Sequence, residues 1–251
     1  MGHDTGDGSR GGDGPHGGDG TYRATTDRTI GEAPGGEPTG QRPAETSPAT
    51  GSVSSGDLVR AGERVTLRRH VPANREDFQR WYADPEIAGL LRHDLEPLTE
   101  RQSRGYFETL ILPLSARGMC WAIHERDTDR LIGSAAITDV IRTTGSGLYR
   151  IVIGEKDRWG LGYGTDATRL VLEESWASLG LRQVRLEVFG HNGRALGSYR
   201  RVGFRRVGQH QEWVPRRGVR LDVLEMVFDR DPVTPGEQVK RYPPAETSDL
   251  A

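Results

Sequence analysis

Apolar residues in the middle of this chain recur with two different periods, and their order outlines a fold. Arg64-Val-Thr-Leu-Arg68 alternates polar and apolar, the period of a half-buried strand. Asn74 reads as a helix N-cap, with Asp77 three residues on and Phe78, Trp81 and Tyr82 following at helical spacing. Thr99 opens a second helix, with Glu100 in its first turn and Tyr106, Phe107, Leu110 and Ile111 on one face. The segment 90–98 between them has no clear period and reads as a loop. Cys120–His124 and Leu131–Ile137 are strands, joined by the polar turn Arg126–Asp129 of an antiparallel hairpin. Gly145-Ser-Gly147 turns the chain into a strand through Ile153. The connection from there to the strand Val184–Val188 holds a helix of about 18 residues, which makes those two strands parallel neighbours. A shorter helix runs from Asn192 to a C-cap at Gly203, and strands around Phe204–Gln209 and Val219–Phe228 end the series. The tally is β-α-α-β-β-β-α-β-α-β-β. It predicts an α+β domain with a mixed, mostly antiparallel central sheet and helices on both faces.

Composition sets the limits of that domain. Fifteen of the 34 glycines fall in the first 56 positions, among Pro, Ser, Thr and Asp. Such a stretch buries too little apolar surface to offset chain entropy, so 1–57 is expected to be a disordered tail. The proline-rich end, 231–251, is expected to be a second one, leaving 58–230 as the folded domain. Net charge is −2 with 28% charged residues, which gives no bulk electrostatic case for nucleic acid or a membrane surface. Arginines nevertheless crowd one region, from Arg182 and Arg185 through Arg194, Arg200 and Arg201 to Arg205 and Arg206. They form either a solvated face or an attractor for a polyanion. Cys120 is the single cysteine and reads as a small buried residue, with no disulfide framework. The seven histidines show no metal-ligand spacing. No stretch is long and apolar enough to span a bilayer, so a cytoplasmic protein, monomer or homodimer, is expected.

The candidate chemistry sits at Trp159-Gly-Leu-Gly-Tyr-Gly164, between a strand and a helix. Strand, glycine turn and helix in that order set unpaired N–H groups where a phosphate can sit. Glycine removes the side chains that would hold phosphate oxygens off the backbone. A dinucleotide fingerprint would need glycine at 165, which is Thr165, and a P-loop would need a Gly-Lys-Ser/Thr triplet that does not occur. Arg158 precedes the turn. Asp166, in the first helical turn, complements the helix dipole and can point outward.

Trp159-Gly-Leu-Gly-Tyr-Gly-Thr-Asp-Ala167 resembles the acetyl-CoA signature of the GNAT N-acetyltransferase superfamily. Its Trp-Gly-x-Gly-Tyr form is similar to the branch holding ribosomal-protein N-terminal and spermidine acetyltransferases. Asn192-x-x-Ala195-x-x-x-Tyr199-x-x-x-Gly203-Phe204 is similar to a second segment of that superfamily, and Gly218–Met226 to its last strand.

The resemblance implies a GNAT-like fold, acetyl-CoA as co-substrate, no metal, and an amine acceptor. The pantetheine arm would lie between the strands 148–153 and 184–188, paired with backbone groups of Ile151, Val152 and Ile153. One of those N–H groups would serve as oxyanion donor. Trp159, Gly160, Leu161, Gly162, Tyr163, Gly164 and Thr165 would form the pyrophosphate cradle, with charge from Arg158. Asn192, Arg194, Ala195 and Tyr199 would complete the cofactor side. Asn192 either bonds the pantetheine or caps its own helix. Tyr199 is the candidate acid for the leaving thiolate. Relatives that place a glutamate on the strand entering the turn differ here, where Leu148-Tyr-Arg150 stands. Glu187 on the neighbouring strand is therefore one candidate base, with pairing to Arg185 or another arginine as its alternative role. Acceptor choice falls to the segments 90–98 and 213–218. Protein N-termini, polyamines and aminoglycoside-like amines all remain open as acceptors. A CoA-binding scaffold without turnover is the competing function.

Overall fold

The computed structural model describes residues 55–231. The expected tails therefore lie outside the described residues, apart from 55–57 and 231. Residues 55–57 are not tail-like: Arg69 donates its N–H to Asp57 O at 2.9 Å and Arg68 donates to Gly56 O at 3.1 Å. They lead into an unexpected strand, β1 (Leu58–Ala61), which adds an antiparallel edge to β2 (Val65–Arg68).

The other expected elements are present. β3 (Cys120–Glu125) and β4 (Leu131–Ile141) form the hairpin, followed by β5 (Ser146–Ile153). Helix α5 (Tyr163–Ala177) leads to β6 (Gln183–Phe189), and α6 (Gly193–Val202) to the closing hairpin β7 (Arg205–Val214) and β8 (Val219–Asp229). Upstream, α1 (Arg75–Tyr82) follows Asn74, but that side chain caps a different turn. Asn74 Oδ1 accepts from Val71 N at 3.0 Å, and the residue makes no bond into α1. The stretch 90–98 is not all loop, because α2 (Pro85–Leu91) enters it. Asp84 Oδ1 accepts from the N–H groups of Glu86 and Ile87, and Pro85 sits at the first helical position. Helix α3 (Glu100–Tyr106) starts at Thr99 with a capping box to Gln102, then runs through a π turn at Phe107–Ile111 into α4 (Leu112–Ala116).

The eight strands form one sheet, ordered β1-β2-β3-β4-β5-β6-β8-β7, in which β5 and β6 are parallel and every other neighbouring pair is antiparallel. Period-two alternation divides its side chains between two helical layers. On β3, Trp121 and Ile123 pack with Ala167, Leu170 and Val171 of α5, whereas Cys120 and Ala122 face Phe78, Trp81, Phe107 and Ile87. Both faces of the sheet are thus covered, and every residue of β3 is buried.

Candidate active site

The site begins where the sheet comes apart. β5 and β6 are in register only at Ser146↔Gln183, Gly147↔Val184 and Leu148↔Arg185. Beyond Leu148, β5 keeps its pairing with β4 and, among the described residues, has no strand on its other side. The direction of its free groups follows from the antiparallel ladder, in which alternate residues bond the same neighbour. Gly154 N donates to Ile132 O, and Val152 stands opposite Ser134, so the peptide groups of even-numbered residues turn toward β4. Those of Ile151 and Ile153 turn into the gap. Val152 therefore has no backbone group to offer there, and its side chain joins Trp81 and Ile87 on the far face. The Ile153 carbonyl is taken as well, by the Trp159 indole N–H at 2.6 Å. What the gap presents is both peptide groups of Ile151 and the N–H of Ile153.

The glycine turn follows directly. Gly160 and Gly162 have φ of 77° and 90°, a region that costs an L side chain roughly 1–2 kcal/mol. Gly162 is the N-cap of α5 and supplies no side-chain cap, so the amides of the first turn stay open. Two side chains pin the turn at its ends. Glu125 at the end of β3 accepts from the Tyr163 hydroxyl and pairs with Arg158, Nε to Oε1 at 3.0 Å. Hydrogen bonds from Thr128, Tyr163 and Arg158 hold the Glu125 carboxyl down to about 2. Arg158 pairs with Asp157 too, at 2.9 Å, so its guanidinium is shared between two carboxylates. The residue that flanks the turn is Arg64, whose Nε would lie 3.5 Å from a Cβ at Gly162. Arg194, in the first turn of α6, stacks its guanidinium 3.9 Å from the centre of the Trp159 ring. Leu161 is exposed, and Ala195 and Gly164 are half-buried.

Asp166 corrects the expectation of an outward carboxylate. It is buried, and its Oδ2 accepts from the peptide N–H groups of Arg64 at 2.8 Å and Val65 at 3.0 Å. Thr165 Oγ1 meets Ser198 Oγ at 2.8 Å, which joins α5 to α6. Asn192 is the α6 cap, accepting from Ala195 N at 3.2 Å.

Tyr199 is buried on the α6 side of the sheet, edge-on to Tyr149 at 6.4 Å, and its hydroxyl has no hydrogen-bond partner among the described residues. Burial pushes its phenol above the ordinary value, which keeps it protonated. Tyr149 itself bonds Thr168 Oγ1 at 3.0 Å. Glu187 projects from the opposite face of β6 and is exposed, level with Glu225 of β8. Its alternative role as a partner for Arg185 is not realised, since among the described residues it makes no ion pair. Two histidines near the site are held by backbone carbonyls: His191 Nε2 meets Gly89 O at 2.9 Å, and His124 Nδ1 meets Asp129 O at 2.8 Å. Burial pushes the Cys120 thiol up to about 12, as suits a core residue.

The two segments given to acceptor choice meet in space. His93 bonds Glu212, and Arg217 pairs with Glu96 at 3.0 Å, so the 92–98 stretch lies against the β7–β8 hairpin. Among the described residues no group of three or more His, Cys, Asp and Glu side chains could hold a metal ion. No described helix is long and apolar enough to cross a membrane.

Comparison with known proteins agrees with this geometry. The sequence pattern of the acetyltransferase (GNAT) domain matches residues 64–205. A curated relative, the uncharacterized N-acetyltransferase p20 of Bacillus licheniformis, is 22% identical over 163 residues, 64% of this chain and 90% of that protein. The crystal structure of a GNAT-family acetyltransferase from Bacillus anthracis superposes with a TM-score of 0.59 at 13% identity, covering 68% of this chain and 98% of that one. Spermidine N-acetyltransferase from Vibrio cholerae, in complex with CoA and spermine, gives 0.58 at 19% identity, covering 66% and 96%. A split sheet, an open helix start and a matching sequence pattern over most of the domain place this chain in the GNAT acetyltransferase family, as an acyl-CoA-dependent N-acetyltransferase.

Proposed function

We propose that this enzyme moves the acetyl group of acetyl-CoA to a primary amine by direct attack within a ternary complex. The observation that carries the reading is the gap beyond Leu148, where the peptide groups of Ile151 and the N–H of Ile153 have no strand partner among the described residues. An extended pantetheine arm fits there as a guest strand, and the Ile151 or Ile153 N–H is placed to polarise the thioester carbonyl. The open amides from Gly160 to Thr165 take the pyrophosphate. Positive charge comes from Arg64 and Arg194 in place of the neutralised Arg158. Trp159 holds the turn against Ile153 and carries Arg194 on its face.

Chemistry follows from the two faces of β6. Tyr199, protonated and without a partner among the described residues, donates to the departing sulfur, whose thiolate has an ordinary pKa of about 8.5. Glu187, on the other face, receives the amine proton directly or through water. The acceptor enters from the side of α2 and the β7–β8 hairpin. The spermine bound to the Vibrio cholerae enzyme makes a polyamine one candidate acceptor, alongside protein N-termini and aminoglycoside-like amines.

Calorimetric titration with acetyl-CoA, followed by a free-thiol assay over an amine panel, tests the reading. One-to-one uptake and amine-dependent CoA release are expected. A folded protein that takes up neither CoA nor acetyl-CoA would end it.

A further inference from the structure

The acceptor side of the gap contains two arginines that the mechanism does not use. Half-buried arginines elsewhere in the described residues have partners: Arg68, Arg75, Arg92, Arg158 and Arg205 are ion-paired, and Arg69 donates to Ser115 O. Arg150 and Arg185 are equally half-buried and have neither an ion pair nor a hydrogen bond among the described residues. The Nε of Arg185 is shut off from solvent with no acceptor. A guanidinium held this way has lost part of its hydration with nothing in return.

Both side chains face the same space. Arg150 stands two residues before Val152, whose side chain packs on α1 and α2, so it shares that face. Arg185 is in register with Leu148 on the neighbouring parallel strand, which puts it on this face at the last paired rung, where the strands part. Tyr82 and Tyr106 close the site from α1 and α3, their rings 5.7 Å apart and their hydroxyls without partners among the described residues. Burial raises both phenols, and the nearby Arg150 charge works against that rise. Glu187, beyond Arg185 on β6, adds one carboxylate at the exposed end of the same face.

We propose that Arg150 and Arg185 bind a carboxylate on the acceptor, which makes the acceptor a small amino-acid-like molecule and not a polyamine. The inference rests on the acetyl transfer proposed above and narrows its acceptor. A planar fork matches a carboxylate with two parallel N–H···O bonds, and the free hydroxyls of Tyr82 and Tyr106 supply further donors. Two cations without partners among the described residues repel a polyamine. With the carboxylate on the arginines, the amine of the same molecule reaches toward the thioester and Glu187. Nothing beyond the acetyl transfer already described is added chemically: the arginines orient the acceptor and stay charged.

The test is a free-thiol assay on a panel of amino acids, each beside its carboxamide, with spermidine as the polycation. Amino acids should exceed their amides in kcat/KM by about tenfold or more, and spermidine should be poorer still. Arg150→Gln and Arg185→Gln should each raise KM for the amino acid by about tenfold while leaving KM for the amide within about twofold. Arg150→Lys, which keeps charge but loses the fork, should fall between. Unchanged melting temperature and acetyl-CoA affinity in each variant exclude a folding defect. Loss of acetyl-CoA uptake by the wild type overturns the parent reading. Uptake without carboxylate preference overturns this inference alone, whether through equal turnover of amides, preference for spermidine or no turnover of any amino acid.

Discussion

Replacing Asp166 with alanine removes one carboxylate oxygen from two main-chain donors at once. Oδ2 accepts from Arg64 N at 2.8 Å and Val65 N at 3.0 Å, and the residue is 8% exposed. The Val65 bond is buried, so its N–H would lose its partner without gaining water, at about 1–3 kcal/mol. The Arg64 bond is only part-buried, so water can replace the acceptor at a smaller cost. Loss of a first-turn carboxylate adds about 0.3–1 kcal/mol through the helix dipole. The sum is about 2–4 kcal/mol, or a fall in Tm of roughly 5–15 °C for a domain of this size. Asp166→Asn separates the contributions. Both bonds end on one oxygen, so an amide oxygen can accept both, and only the charge is lost, about 1 kcal/mol. Urea melts with unchanged m-values should therefore rank wild type above Asn above Ala, with the larger step between Asn and Ala. An alanine variant within about 0.5 kcal/mol of wild type, or one equal to the asparagine variant, refutes the argument that this carboxylate ties α5 to β2.

Three further outcomes are expected. Tyr199→Phe should lower kcat by about a hundredfold while acetyl-CoA affinity from calorimetry changes less than about twofold; an unchanged kcat removes it as the acid. Gly162→Ala should fold, because its Cβ meets nothing closer than Arg64 Nε at 3.5 Å. It should nonetheless weaken acetyl-CoA binding about tenfold, through strain at φ 90° and a methyl group at the open amides. Burial holds the His70 imidazole down to about 4, below its unfolded value of about 6.5. The unfolded chain therefore binds the extra proton between those values. Stability is full above the upper one and falls by about 3 kcal/mol as pH drops to the lower. Denaturant melts across this window should show His70→Gln losing less than wild type.

The strands and helices that carry the site were legible because their signals are local. The glycine turn, the Asn192 cap, the Gly203 C-cap and the β3–β4 hairpin each depend on residues a few positions apart. β1 was missed because it has four residues, with the burial order exposed, half, half, exposed, and so no alternation to read. α2 announced itself only through Asp84-Pro85, a cap and first-turn pair that the aperiodic residues after it obscured. Arg158 shows a different limit. Its place beside the turn suggested a phosphate, while the partner that occupies it, Glu125, is 33 residues away in the chain. Asp166 likewise turns to donors about a hundred residues upstream. The unpaired state of Arg150 and Arg185 is a property of their surroundings and has no signature in sequence.

The brevity of the β5–β6 ladder has a dynamic consequence. Three residue pairs join a five-strand half of the sheet to a three-strand half. Protection of the Ile151 and Ile153 amides against solvent exchange then comes from whatever occupies the slot, not from the folded chain. Hydrogen–deuterium exchange at those two positions is a built-in occupancy meter, fast in the free enzyme and slowed for as long as the thioester carrier stays seated.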